Sequence, residues 1–212
     1  MKVELLEVFG NDLMVVNSAR VSYGKIKESF DFSDEKLIDY LVRHKHTSVF
    51  RHPQVQFRIT CPIYVERQLF KHQVGMSANS ISGRYVDFSD TYSGIDIWRK
   101  QSKDSKQGSD GYLSDEDQEK CDLIQRCVID SCKIGYKRLI DLGVSKEQAR
   151  TILPLNLNTQ FIWTGSLLSF IHIFNLRLKP DAQEETREVA YQMLQQLKEN
   201  GNFEYSLRAF GL

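Results

Sequence analysis

The chain carries no excess of charge of either sign: Lys plus Arg and Asp plus Glu number 28 each. Proteins that grip the phosphate backbone of a duplex ordinarily show a basic surplus, so a nucleic acid polymer is disfavoured as partner, while a local basic cluster for a small anion remains allowed. There is no run of about 18 apolar residues, so no membrane-spanning helix and no membrane partner are expected. The first residues, MKVELLEVFG, hold an early acid and no apolar signal core, which points to the cytoplasm. Cys61, Cys121, Cys127 and Cys132 form no CxxC pair, which excludes zinc-ribbon and thioredoxin-type motifs and leaves four free thiols. The spacing of His44, His46 and His52 matches no zinc site, so no metal is expected. A GxxxxGK[ST] phosphate loop is absent as well.

What is present fits one domain spanning 1–212, with 26% charged and 41% hydrophobic residues. Val3 to Val8 suits a strand, and Asn11 or Asp12 can cap a helix reaching about Tyr23. Ser33 can start a second helix ending near His44. Val55, Phe57 and Ile59 alternate as in a half-buried strand, and Pro62 opens a helix running to about His72. Residues 73–83 suit a structured loop or short strand, and 99–114 a flexible surface excursion. Ser114 caps a long helix whose stripe is Cys121, Ile124, Val128, Cys132, Gly135, Leu139 and Leu142, closed by Gly143. A short helix from Ser145, an all-apolar helix over 166–176 and an amphipathic helix over 182–200 complete the pattern. The expectation is a mixed α/β (α+β) fold with a mixed sheet and long helices. Its apolar stripes imply a homo-oligomer.

Three clusters are more polar than their pattern requires. Residues 43–52, RHKHTSVFRH, concentrate histidines where a solvated helix end would also account for them. Residues 67–85 offer Gln68 and His72 one helical turn apart, as are Arg67 and Lys71, then Ser77, Asn79, Ser80, Ser82 and two glycines before Arg84. Hydroxyls, backbone amides and a guanidinium are what a phosphate needs, although an ordinary polar loop has the same composition. Residues 149–179 set Arg150, His172, Asn175 and Arg177 among apolar neighbours, where an arginine needs a carboxylate, a phosphate or a ring carbonyl. Arg177 has Asp181 and Glu184 nearby as simpler partners. Cys61 carries no signature of a reactive thiol.

These stretches resemble the flavin-dependent thymidylate synthases. That family's signature, RHRxxSxNExSxRY, corresponds to KHQVGMSANSISGRY at 71–85. NSARVSY (17–23), HKHTSVFRH (44–52), CPIYVERQLFKH (61–72), GVSKEQARTILPLNLNTQFIWT (143–164) and FNLR (174–177) follow in family order, so the likeness covers nearly the whole chain. It implies an α/β homotetramer that methylates dUMP to dTMP, with FAD as cofactor and NADPH and methylenetetrahydrofolate as co-substrates. By resemblance, Gln68, Ser80, Ser82, Gly83, Arg84, Tyr85 and Arg150 meet the nucleotide, and Arg177 polarises the pyrimidine. His46, Ser48, Arg51, Lys71, His72, Gln73, Asn79, Ser166 and His172 approach the flavin. Arg177, His46, His172 and Ser82 are the implied catalytic set.

The departures from the family lie mainly on the flavin side. Lys71 and Gln73 stand for arginines, Ser80 for the signature's glutamate, Arg51 for a glutamate and His172 for an asparagine. Ser166 and Leu168 replace polar and basic residues, and one residue is inserted between Gln73 and Ser77. Two alternatives therefore stand beside thymidylate synthesis: a hydroxymethylase acting on dUMP or dCMP, and a nucleotide-binding homologue without catalysis.

Overall fold

A computed structural model describes residues 1–87, 91–103 and 108–212. In chain order the elements are β1 (Lys2–Phe9), α1 (Asp12–Arg20), α2 (Phe32–Arg43), β2 (Gln54–Pro62), α3 (Ile63–Leu69), β3 (Met76–Ser80), β4 (Arg99–Gln101), β5 (Ser109–Tyr112), α4 (Asp115–Asp141), α5 (Lys146–Ala149), β6 (Asn158–Ser166), α6 (Leu167–Arg177), α7 (Glu184–Asn200) and α8 (Glu204–Ala209). Short 3-10 turns occupy Val21–Tyr23, Thr47–Arg51 and Arg150–Ile152. The four-stranded sheet has the order β1-β2-β6-β3, and β4 pairs antiparallel with β5. The mixed helix-and-strand class expected from the sequence is the one observed. By packing, the chain divides into two compact units: residues 2–59, 69–79 and 161–212, and residues 1, 60–68 and 80–160.

In the first of these units the core is aromatic. Alternate residues of β2 and β6 bury Val55, Phe57 and Ile59, and Phe161 and Trp163. The Phe57 ring meets Phe170 edge-on at 5.2 Å, and Trp163 meets Phe170 at 5.7 Å. Ser166 caps α6 by accepting from Ser169 N. Helix α6 is buried on all sides but one, where His172, Asn175 and Leu176 are exposed. Helix α7 turns Val189, Ala190, Met193, Leu194 and Leu197 inward at three- and four-residue steps.

The NSAR part of 17–23 is structural. Asn17 clamps the backbone of Lys27 from both sides, donating to its carbonyl at 2.8 Å and accepting from its N–H at 3.0 Å. Arg20 pairs with the fully buried Asp34, which Lys27 also reaches at 2.7 Å. Asp34 also closes a capping box with Asp31, so the cap of α2 is Asp31 and not Ser33. Burial pushes the Asp34 carboxyl up, but Lys27, the Asp31 N–H and Arg20 outweigh it and hold it below the usual range. Its contribution to stability is therefore present above the unfolded pKa and lost as pH falls through the lower folded one. Asp34→Ala strands two cations and is expected to cost about 3 kcal/mol in urea unfolding at neutral pH.

In the other unit, Ser114 caps α4 as expected. The expected apolar stripe of α4 is not buried within the chain: Ile124 is 64% and Val128 50% exposed, and only Tyr136 is buried on the helix. Residues 99–114 are not a free excursion where described. Arg99 opposes Tyr112 in the β4–β5 ladder, and Gln118 of α4 brackets Trp98, accepting from its N–H at 2.7 Å and donating to its carbonyl at 2.8 Å. Residues 104–107 of that stretch lie outside the described residues. No described helix is long and apolar enough to cross a membrane, and no described group of three His, Cys, Asp or Glu residues is disposed to hold a metal ion.

Candidate functional site

Helix α3 stops at Leu69, short of His72, so Gln68/His72 and Arg67/Lys71 are not the helical pairs their spacing suggested. The chain instead turns through Lys71, His72 and Gln73 into β3, with His72 N donating to Leu69 O at 3.0 Å. Gly75 makes that turn possible. Its φ is +70°, and a β-carbon there would lie 2.6 Å from Ser169 Oγ, which itself donates to Val74 O at 3.0 Å.

His72 is brought to the end of α6. Arg177 Nε donates to His72 Nε2 at 3.0 Å, so that nitrogen must be unprotonated. Burial, the Arg177 guanidinium and His172 all push the imidazole below its ordinary pKa. Burial also lowers Arg177, a half-buried cation at the favourable C-terminal end of a helix. His172 is exposed on the same helix. Arg177 thus has an imidazole among its partners, a kind the sequence did not suggest.

His46 precedes the 3-10 turn holding Ser48 and Arg51, which Val49 and Phe50 anchor by burial. Lys45, at φ 58°, throws His46 back beside Tyr40 and His44, with ring centroids 6.1 and 6.4 Å away. Lys71, Gln73, Asn79, His46, Ser48 and Arg51 are exposed, and among the described residues Lys71 and Arg51 make no ion pair. Ser166 is different. It is buried and its hydroxyl is committed to Ser169, which removes it from any ligand-facing set.

In the other unit, Ser82 and Gly83 form a turn ahead of Arg84. Ser82 Oγ accepts from Arg84 N at 3.3 Å, Tyr85 N donates to Ser82 O at 3.0 Å, and Lys146 donates to Tyr85 O at 3.4 Å. Arg84 and Tyr85 are exposed, the guanidinium 5.3 Å from the ring. Arg150 opens its 3-10 turn, exposed rather than buried as the sequence implied, and Gln68 ends its segment half-buried. Ser80 donates to Glu66 Oε1 at 2.7 Å, a carboxylate that carried no signal in the sequence. No spacing rule would have found it, because the two are joined across a helix and a strand.

Cys61 is fully buried, and burial pushes its thiol up to about 12. It is protonated at neutral pH and is no nucleophile. Cys61→Ser is expected to leave turnover within about twofold while lowering the melting temperature, since an alcohol replaces an apolar thiol. Complete loss of activity in a folded variant would reopen cysteine catalysis.

A family model described as thymidylate synthase complementing protein matches residues 4–200. The flavin-dependent thymidylate synthase of Thermus thermophilus is 41% identical over 197 residues, covering 93% of this chain and 71% of that protein. That of Kosmotoga olearia is 40% identical over 190 residues, covering 89% and 81%. The chain belongs to the flavin-dependent thymidylate synthase family. Among solved structures, the UMP/dUMP methylase PolB of Streptomyces cacaoi, bound with 5-bromo-dUMP, superposes with a TM-score of 0.89 at 28% identity, covering 99% of this chain and 94% of that one. The same methylase bound with 5-bromo-UMP gives 0.87 over 99% and 92%. Of the departures that the resemblance implies, Arg51, Lys71, Gln73, Ser80 and His172 are exposed, whereas Ser166 and Leu168 are buried.

Proposed function

We propose that this chain methylates dUMP to dTMP as a single domain spanning 1–212, with FAD as cofactor, methylenetetrahydrofolate as carbon donor and NADPH as reductant. The observation that carries this reading is the family membership over 4–200; the nucleotide set that the resemblance implies is Gln68, Ser82, Arg84, Arg150 and Arg177. In this reading the Ser82–Gly83–Arg84 turn and Arg150 take the phosphate, supplying a hydroxyl, backbone amides and planar forks. Arg177 donates to a ring carbonyl and stabilises negative charge as it develops on the pyrimidine. Neutral His72 orients the guanidinium by accepting from Nε.

The residues present suit a flavin. Lys71 and Arg51 are exposed cations without ion pairs among the described residues, as a diphosphate requires. His46, Ser48, Gln73, Asn79 and His172 offer exposed donors for ring carbonyls. Bound there, FAD supplies the reducing equivalents that turn a transferred one-carbon unit into a methyl group. Assembly into a homotetramer would cover the exposed Ile124 and Val128 of α4, and the cytoplasm is the proposed compartment.

The test is incubation with dUMP, methylenetetrahydrofolate, FAD and NADPH, followed by mass spectrometry of the nucleotide. A methylated product that requires both flavin and reductant supports the reading. A hydroxymethylated product, or one formed from dCMP alone, supports the second reading, which rests on His172 and Ser80. Bound nucleotide without turnover would reduce the protein to a binding homologue.

A further inference from the structure

Glu66 sits on α3 with its side chain half-buried, and its polar partner is the Ser80 hydroxyl at 2.7 Å. Among the described residues no cation pairs with it. Burial pushes its carboxyl above the usual range, and Ser80 only partly offsets this. An ionised carboxylate held without a cation is a cost that folding alone does not require, since glutamine would keep the hydrogen bond.

The pair is placed beside the phosphate turn. Ser80 is the last residue of β3, Ile81 N donates to Gln160 O at 2.8 Å, and Ser82, the next residue but one, opens the turn. Ser82 holds the turn that presents Arg84. A serine hydroxyl has one proton, and that of Ser80 goes to Glu66; what it keeps for a ligand is lone pairs. Ser80 is exposed and so able to use them. In the resemblance, Ser80 stands where the signature has a glutamate, and Glu66 returns a carboxylate to that position at one hydrogen bond's remove.

We propose that Glu66 is a positioning residue of the nucleotide site, fixing Ser80 as an acceptor for a hydrogen-bond donor on the ligand, either the imide N–H of uracil or a sugar hydroxyl. The inference rests on the reading of this site as a dUMP site. It makes the Glu66–Ser80 pair a device that favours a uracil over a cytosine, whose N3 bears no proton, or one that grips the sugar.

Calorimetric binding separates these sources. The full chain, wild type, Glu66→Gln, Glu66→Leu and Ser80→Ala, is titrated with dUMP, N3-methyl-dUMP and the 2′,3′-dideoxy analogue. On wild type, one of the two analogues should bind about tenfold more weakly than dUMP, the worth of one charge-assisted hydrogen bond. In Glu66→Leu and Ser80→Ala that penalty should shrink to about twofold or less, and the double variant should bind dUMP no more weakly than either single one. Glu66→Gln separates positioning from folding. The raised folded pKa means that the stabilisation from protonating Glu66 is present at low pH and lost as pH rises through that value. At neutral pH the Glu66→Gln variant should therefore melt no lower than wild type, while its discrimination between analogues loses its pH dependence. Equal weakening of all three ligands, or undiminished discrimination in a folded Glu66→Leu, would overturn the assignment. If wild type fails to bind dUMP at all, the dUMP reading falls and takes this role with it; if it binds and the variants match it, only the role of Glu66 falls.

Discussion

Arg177→Ala is expected to lower kcat by about 10²–10³ or more while leaving the melting temperature nearly unchanged, the effect of deleting a donor aimed at developing charge. The residue closes α6 at its exposed end, so the helix and its aromatic core do not depend on it. Its desolvation, which lowers its pKa, makes each donated hydrogen bond stronger than one in water. Arg177→Lys should restore little, because an ammonium cannot bond His72 through one nitrogen and a ring oxygen through two others. The contact with His72 also sets a pH dependence. As pH falls through the depressed pKa of His72, the imidazolium loses its acceptor and repels the guanidinium. The rate should therefore be flat near neutrality and fall in acid, below the ordinary histidine range. His72→Gln, whose amide oxygen accepts without titrating, should lack that acid limb. Wild-type rates in Arg177→Ala would remove it from the ring.

Arg84→Ala is expected to weaken dUMP binding by about 2 kcal/mol, or roughly thirtyfold, the contribution of a charged hydrogen-bonding group. The substitution leaves its surroundings intact. The Ser82 turn is held by backbone and hydroxyl bonds, so alanine removes the guanidinium without collapsing the loop. Because Arg84 is exposed, the loss should diminish at high salt. Calorimetry at two ionic strengths checks both points; unchanged affinity would take Arg84 out of the phosphate site.

Periodic elements were legible in the sequence. The alternation of Val55, Phe57 and Ile59, the Ser114 cap and the glycine after α7 each left a local signal, and each element lies where that signal put it. What the sequence hid depends on distant partners. Helix α8 is held by Asp12, whose carboxylate accepts from the N–H groups of Tyr205 and Ser206, far along the chain. The paired strands β4 and β5 have a linker's composition, and Gln118 brackets Trp98 just ahead of them. Strand β6 lies in a stretch whose sequence signals are Arg150, His172, Asn175, Arg177 and an apolar helix over 166–176, none of which points to a strand. At the site, the residue types were legible one by one. The His72–Arg177 and Glu66–Ser80 contacts were not, because neither pair shares an element.

Gly75 is in a left-handed conformation, and a β-carbon there would press on Ser169 Oγ. Lys71 and Gln73, a few residues before it, face open solvent. For anyone evolving this scaffold in the laboratory, the consequence is an uneven map of freedom: a side chain at position 75 is strained by the backbone, while the exposed positions 71 and 73 carry no such constraint on folding. If the proposed flavin contacts are right, their side chains can change on this turn without disturbing the backbone that Gly75 sets.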